Sequence, residues 1–383
     1  MRISSRGAVD PFIAMDVLAE AQAAEAEGRD IVHMEVGQPG TPAPRRAREA
    51  AARALAAEPL GYTVALGLPA LRERIARRYR ERHGVDVAPE RVAVTSGSSA
   101  AFLLAFFALF DRGARVALAD PSYPAYRNML KALELQPVRV AATPETRFQP
   151  TPRLLADAGR GGRLDGVLAA SPANPTGAML GRDAMIDLVE ECQRLGAAFI
   201  SDEIYHGLEV DGPAVSALEV TTDAFVVNGF SKYFSMTGWR VGWMVAPEPI
   251  METLERLAQN LYICAPHISQ VAALAALDAE DELEANVAVY RANRDLLMEE
   301  LPKAGLAKIA PSDGAFYLYV DVSDITDDSR AFCRRMLAEA GVAATPGVDF
   351  DPVRGAGWAR FSFAGPTERM AEGARRLKTW LKG

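Results

Sequence analysis

Lys232 lies in the run Asn228-Gly229-Phe230-Ser231-Lys232-Tyr233-Phe234-Ser235-Met236-Thr237-Gly238-Trp239-Arg240. A long, hydrated ammonium is unusual company for Phe230, Tyr233, Phe234 and Trp239. The apolar stretches 224–228 before it and 241–246 after it read as buried strands. The lysine therefore falls on a short loop at the end of an interior strand. An amine held there loses its proton more readily than its free pKa of about 10.4 allows. A neutral amine forms a Schiff base with an aldehyde. Arg240 adds a permanent cation suited to a phosphate. Together they point to an aldehyde cofactor that also carries a phosphate, namely pyridoxal phosphate. Taken alone, Lys232 also reads as a surface lysine that snorkels past apolar neighbours.

The elements around this loop must form a platform for it. From residue 91 onward, strands at 91–95, 115–119, 166–170 and 197–201 alternate with helices at 99–110, 123–133 and 182–195. Alternation of this kind predicts an α/β domain on a mostly parallel sheet between helices. Before it, Asp10-Pro11 reads as the start of a helix running to about Gly28. A strand at 31–36, the turn Gly37-Gln38-Pro39-Gly40 and helices at 45–57 and 69–83 follow. After the lysine loop come helices at 270–277 and 281–301. The remainder reads as a smaller α+β piece: strand 316–320, helix 328–340, strand 358–363, helix 367–381. The expected division is an N-terminal segment 1–44 packing with a small C-terminal domain 281–383, and a large cofactor-binding domain 45–280.

In open α/β sheets, ligands bind outside the carboxyl ends of the strands, and chemistry-bearing residues recur there. Ser98 and Ser99 follow a strand and start a helix, a place suited to a phosphate or to simple capping. Tyr123 could stack on a flat ring or pack as an ordinary surface tyrosine. Asn174, in Ser171-Pro172-Ala173-Asn174-Pro175-Thr176-Gly177, could donate to a phenolate oxygen or merely serve the turn. Asp202 could keep a pyridine nitrogen protonated, and Tyr205 could bond the same cofactor's phenolic oxygen. A glycosidase-like pairing of Asp202 with Glu203 is disfavoured, because adjacent residues in an extended segment face opposite ways. Arg360, in a late apolar strand, needs an anion: a substrate carboxylate or a structural ion pair.

Composition narrows the field. The chain has 383 residues, 49% hydrophobic and 24% charged, with a net charge of −8. An acidic balance with no basic run argues against nucleic-acid binding. No apolar run reaches the roughly 20 residues of a membrane span, and the first residues lack the apolar core of a signal peptide. Cys192, Cys264 and Cys333 stand far apart, as in a reducing compartment, so a cytoplasmic protein is expected. The four histidines show no metal spacing.

The residues quoted above, taken in order, resemble the fold-type I pyridoxal-phosphate-dependent aminotransferases of the class I/II group along nearly the whole chain. Ser231-Lys232 with Met236-Thr237-Gly238-Trp239-Arg240 resembles that family's lysine motif with its phosphate-binding arginine. Ser171–Gly177 resembles its Asn-Pro-Thr-Gly motif, and Asp202-Glu203-Ile204-Tyr205 its Asp-x-x-Tyr motif. By the same resemblance, the backbone at Gly37 touches the substrate carboxylate and Arg360 grips it, with Asn174 beside it. Gly61-Tyr62-Thr63 resembles the segment whose tyrosine reaches the phosphate of a neighbouring subunit, which implies a homodimer.

The implied activity is transfer of an amino group from an L-amino acid to a 2-oxo acid by a ping-pong mechanism, with Lys232 as Schiff-base partner and general base. Two positions depart from familiar members. Gly229 stands where some carry a phosphate-binding serine, and Ser99 where certain aspartate-using relatives carry a lysine. With no cation in 259–267 beyond His267, a neutral amino donor is expected, and Ser99 and that stretch are expected to decide the substrate. The rival readings are a β-eliminating C–S lyase on the same fold, separated by release of pyruvate and ammonia, and a non-enzymatic regulator, for which no DNA-binding module is visible.

Overall fold

The computed structural model describes residues 2–382. Its first strand, β1 (Val32–His33), pairs in parallel with β10 (Val342–Ala343) and so ties the N-terminal segment to the C-terminal part of the chain. A seven-stranded sheet forms the centre. Its strands are β2 (Val92–Thr95), β3 (Arg115–Asp120), β4 (Gln136–Ala141), β5 (Gly166–Ala170), β6 (Ala198–Asp202), β7 (Phe225–Gly229) and β8 (Gly242–Val245). They lie in the order β2-β8-β7-β6-β5-β3-β4, and only β8 runs antiparallel to its neighbours. Strands β2, β7 and β8 are buried along their whole length, as near-continuous apolar runs covered on both faces should be. A smaller antiparallel sheet of β9 (Tyr317–Asp321), β11 (Thr345–Pro346) and β12 (Trp358–Ser362) has β12 at its centre.

The helices follow from apolar spacing. Leu71, Ile75 and Tyr79, four apart on helix Pro69–His83, are all buried, one stripe facing the core. That helix stops at Gly84, whose φ of 66° supplies the left-handed cap that glycine adopts without penalty.

Two local expectations give way to the structure, and three elements are added to them. The first long helix begins at Ile13, not at Asp10; Asp10 instead takes Lys131 Nζ at 2.6 Å. The strand expected over 31–36 is only two residues long, because beyond it the Glu35 carbonyl turns to accept from Arg360 and from Thr345 Oγ1. Strand β4 was absent from the sequence reading: Gln136, Pro137 and Arg139 hide it, and proline is tolerated because β4 is an edge strand. Helices Pro152–Gly159 and Met251–Leu261 were also passed over, although Met251, Leu254 and Ala258 carry a helical period into the core.

Candidate active site

Five loops at the carboxyl ends of strands, together with residues from the two ends of the chain, converge on one cavity. Gly37, Ser98, Ser99, Tyr123, Asn174, Asp202, Tyr205, Lys232, Arg240 and Arg360 all line it. Tyr62 does not; it is 81% exposed on the surface. Nor does any residue of 259–267. That stretch meets the segment before Tyr62 instead, with His267 Nδ1 2.8 Å from the Gly61 carbonyl.

Lys232 leaves the end of β7 and donates from Nζ to the Gly37 carbonyl at 2.6 Å. Phe230 and Phe234, whose company first made it conspicuous, are core residues packed on each other, with Phe230 also against Trp243. Its own aromatic neighbours are the rings of Tyr205 and Phe316, at 5.8 and 5.9 Å. Burial, aided by the positive charge of Arg360 and opposed by Asp202, brings the amine down to about 8. A cation loses hydration there that weak partners do not replace.

Asp202 ends β6 with its carboxylate facing the cavity. Burial raises its pKa to about 6, against the O–H of Tyr126, the N–H of Ile204 at 3.0 Å and the charge of Lys232. Glu203 points the other way and is occupied by Ser201, Ser216 and the Ala217 N–H, so the two carboxylates do not form an acid/base pair.

Arg240 is bent into the left-handed region, φ 49°, and donates to the Thr237 carbonyl at 2.9 Å. Its guanidinium lies against Gly97, φ 81°, the residue that starts helix Ser98–Leu109; a Cβ at Gly97 would run into it. Backbone, guanidinium and serine hydroxyls thus share a cradle at a helix N-terminus, the setting in which N–H groups and dipole both favour an anion.

Arg360, on β12, is 3% exposed. It donates to Asn174 Oδ1 at 2.9 Å, to the Glu35 carbonyl and to Thr345 Oγ1 at 3.3 Å. The rings of Tyr317 and Phe350 flank it at 4.4 and 4.7 Å. Its Nε has no partner, and no carboxylate pairs with it among the described residues. The structural ion pair left open by sequence is therefore absent there. A buried guanidinium without an anion is suited to hold one, because removal from water otherwise costs several kcal/mol.

Two neighbours escaped the sequence reading. Tyr126 orients Asp202. Tyr317 joins Tyr205 through their hydroxyls, 2.8 Å apart, and occupies the space that a side chain at Gly37 would need. Tyr126 sits three residues after Tyr123, one helical turn on, which was the available signal; Tyr317 follows Gly314-Ala315-Phe316 at the head of an apolar strand. Among the described residues no group of His, Cys, Asp and Glu could hold a metal ion, and no helix is long and apolar enough to cross a membrane.

The site's residues fit a group with three features: an aldehyde for Lys232, a phosphate for the Gly97–Arg240 cradle and a basic ring nitrogen for Asp202. Along nearly its whole length the chain is similar to known aminotransferases. The family model "Aminotransferase class I and II" matches residues 29–377. A valine–pyruvate aminotransferase of Mycobacterium tuberculosis is 47% identical, covering 99% of this chain and 98% of that protein. An aspartate/prephenate aminotransferase of Thermus thermophilus is 33% identical over 97% of this chain and 96% of its own. The crystal structure of an aminotransferase from Mycobacterium tuberculosis superposes with a TM-score of 0.97 at 46% identity, covering 100% of this chain and 99% of that one.

Proposed function

Because the chain belongs to the class I and II aminotransferases, we propose that it moves the amino group of a neutral L-amino acid to a 2-oxo acid, with pyridoxal phosphate held by Lys232. The observation that carries the neutral donor is a count of cations. Among the described residues of one subunit, Lys232, Arg240 and Arg360 are the only cations that line the cavity, and each has a task. None is left over for a second carboxylate, and burying one unpaired costs several kcal/mol. A relative at 47% identity that is named for valine supports the same choice.

When bound, the cofactor supplies an electrophilic carbon and an electron-accepting ring. Ser98, Ser99, the Gly97 turn and Arg240 hold its phosphate. Tyr123 would pack against its ring, and Tyr205 with Asn174 would hold its phenolic oxygen, since all three line the cavity. Asp202 keeps a proton on the ring nitrogen. Arg360 takes the α-carboxylate of the amino acid, with the Gly37 backbone and Asn174 beside it, which aims the α-hydrogen at Lys232. Lys232, as a neutral amine, would take that proton at Nζ and hold it for return. Release of one keto acid before entry of the next gives ping-pong kinetics.

The same reading takes the protein as a cytoplasmic homodimer, divided into segments 1–44, 45–280 and 281–383. Tyr62, Val64, Leu261 and Ile263 are large apolar side chains exposed on neighbouring segments, a surface of the kind that a second subunit covers. We assign Tyr62 to the phosphate site of that subunit.

Two results follow. In single-turnover half-reactions with an amino-acid panel, neutral donors should exceed aspartate in kcat/KM by at least about tenfold; aspartate as the best donor would sink the neutral-donor reading. Gly97→Ala should weaken cofactor retention on dialysis by about tenfold or more, since the new methyl group strains a positive φ and displaces Arg240. Undiminished retention would remove the cradle from the phosphate site.

A further inference from the structure

Asp349 is fully buried, yet its two oxygens accept from main-chain donors more than 300 residues away, the N–H groups of Ile13 and Ala14, each at 3.2 Å. Those residues open helix Ile13–Ala26, whose N-cap residue Phe12 offers no side-chain cap. The first N–H groups of a helix have no partner within it, and a carboxylate at that end is favoured by both hydrogen bonding and the dipole. Asp349 therefore docks the start of the helix from outside.

What it docks is a wall of the cavity: Phe12, Ala14 and Met15 all line it. Phe12 packs edge-on to the Tyr123 ring at 5.6 Å. Met15 is 50% exposed and so stands at the mouth. The turn that carries Asp349 also fixes the opposite groups: Phe350 lies against the Arg360 guanidinium at 4.7 Å, and its carbonyl accepts from the Ser122 N–H at 3.2 Å. One turn thus sets the distance between the carboxylate clamp and an uncharged wall.

We propose that Phe12 and Met15 are specificity-determining residues for the amino donor, and that Asp349 is the positioning residue that holds them over the cavity. The inference rests on the neutral-donor reading. An apolar side chain gains from contact with Phe12 and Met15, whereas a charged one loses its water there and finds no partner.

The test uses the full-length, cofactor-loaded enzyme and the variants Asp349→Ala, Asp349→Asn and Met15→Ala. Loss of the cap should speed amide hydrogen exchange over residues 12–17 in Asp349→Ala by about tenfold. KM for the preferred neutral donor should rise by about tenfold while kcat stays within about twofold. Asp349→Asn, which keeps the shape and removes the charge, should change both in the same direction by less. Met15→Ala, at a half-exposed position that the fold does not need, should shift the kcat/KM ratio between larger and smaller neutral donors by about tenfold. Wild-type exchange together with wild-type KM values in Asp349→Ala would overturn the positioning role, and an unchanged donor ratio in Met15→Ala would overturn the specificity role. A wild-type enzyme that prefers aspartate would defeat the neutral-donor reading, and with it the role of Met15. The exchange measurement would still decide for or against Asp349.

Discussion

Lys232→Ala should lose the visible absorbance of the lysine-bound cofactor and more than about 10⁴-fold of turnover, because one substitution removes both a covalent anchor and a general base. The second job depends on protonation. With its pKa brought down to about 8, about a quarter of the amine is neutral at pH 7.5, against about one part in a thousand for an ordinary lysine. Burial and the Arg360 charge supply that gain, and Asp202 limits it. The sign follows: depressing a lysine's pKa favours the neutral base, so reactivity of the free amine should climb with pH and level off above about 8. Absorbance spectra and single-turnover rates of the variant check the first claim, and a turnover near that of the wild type would refute the assignment of Lys232.

The platform was legible because its physics is local. Apolar runs of four to six residues, each followed by a helical period, announce a parallel sheet, and the sheet's carboxyl ends say where to look for chemistry. Lys232, Arg240, Asp202 and Arg360 stood out because a charged residue in an apolar run needs a reason. The residues that position them gave no such sign. Tyr126 looks like one more aromatic on an amphipathic helix until its hydroxyl is seen on Asp202. Asp349 looks like a loop acid, and only the closure of the chain brings it to Ile13. These contacts join residues 76 and 336 positions apart, and nothing in local spacing encodes them. Asp10 shows the converse: a favourable cap by composition was overridden by Lys131, since a capping bond contributes about 1 kcal/mol and a tertiary partner competes at that level. Residues 259–267 lie outside this cavity, beside the Gly61 segment on the face that we assign to a second subunit, and within one subunit the uncharged wall comes from Phe12 and Met15.

Asp202→Ala should reduce kcat by about 10³-fold or more, since it removes the charge that keeps the ring able to accept electrons in the transition state. The effect should fall on kcat rather than KM, because Arg360, which we assign to the substrate carboxylate, is untouched. Asp202 must be ionised to act, yet burial raises its pKa to about 6. The Tyr126 hydroxyl is the largest of the influences that hold it down. Tyr126→Phe should therefore raise that pKa further. A raised carboxyl pKa means loss of the active, ionised form at a higher pH, so the acid limb of the kcat profile should move upward. Activity at pH 8 should stay within about tenfold of the wild type, because the carboxylate itself remains. The pair separates two roles: removal of Asp202 depresses the whole profile, whereas removal of Tyr126 slides its acid side. A Tyr126→Phe profile lowered evenly at every pH, with its acid limb unmoved, would show that Tyr126 serves packing alone. An Asp202→Ala enzyme within about tenfold of wild-type kcat would show that the ring nitrogen does not depend on this carboxylate.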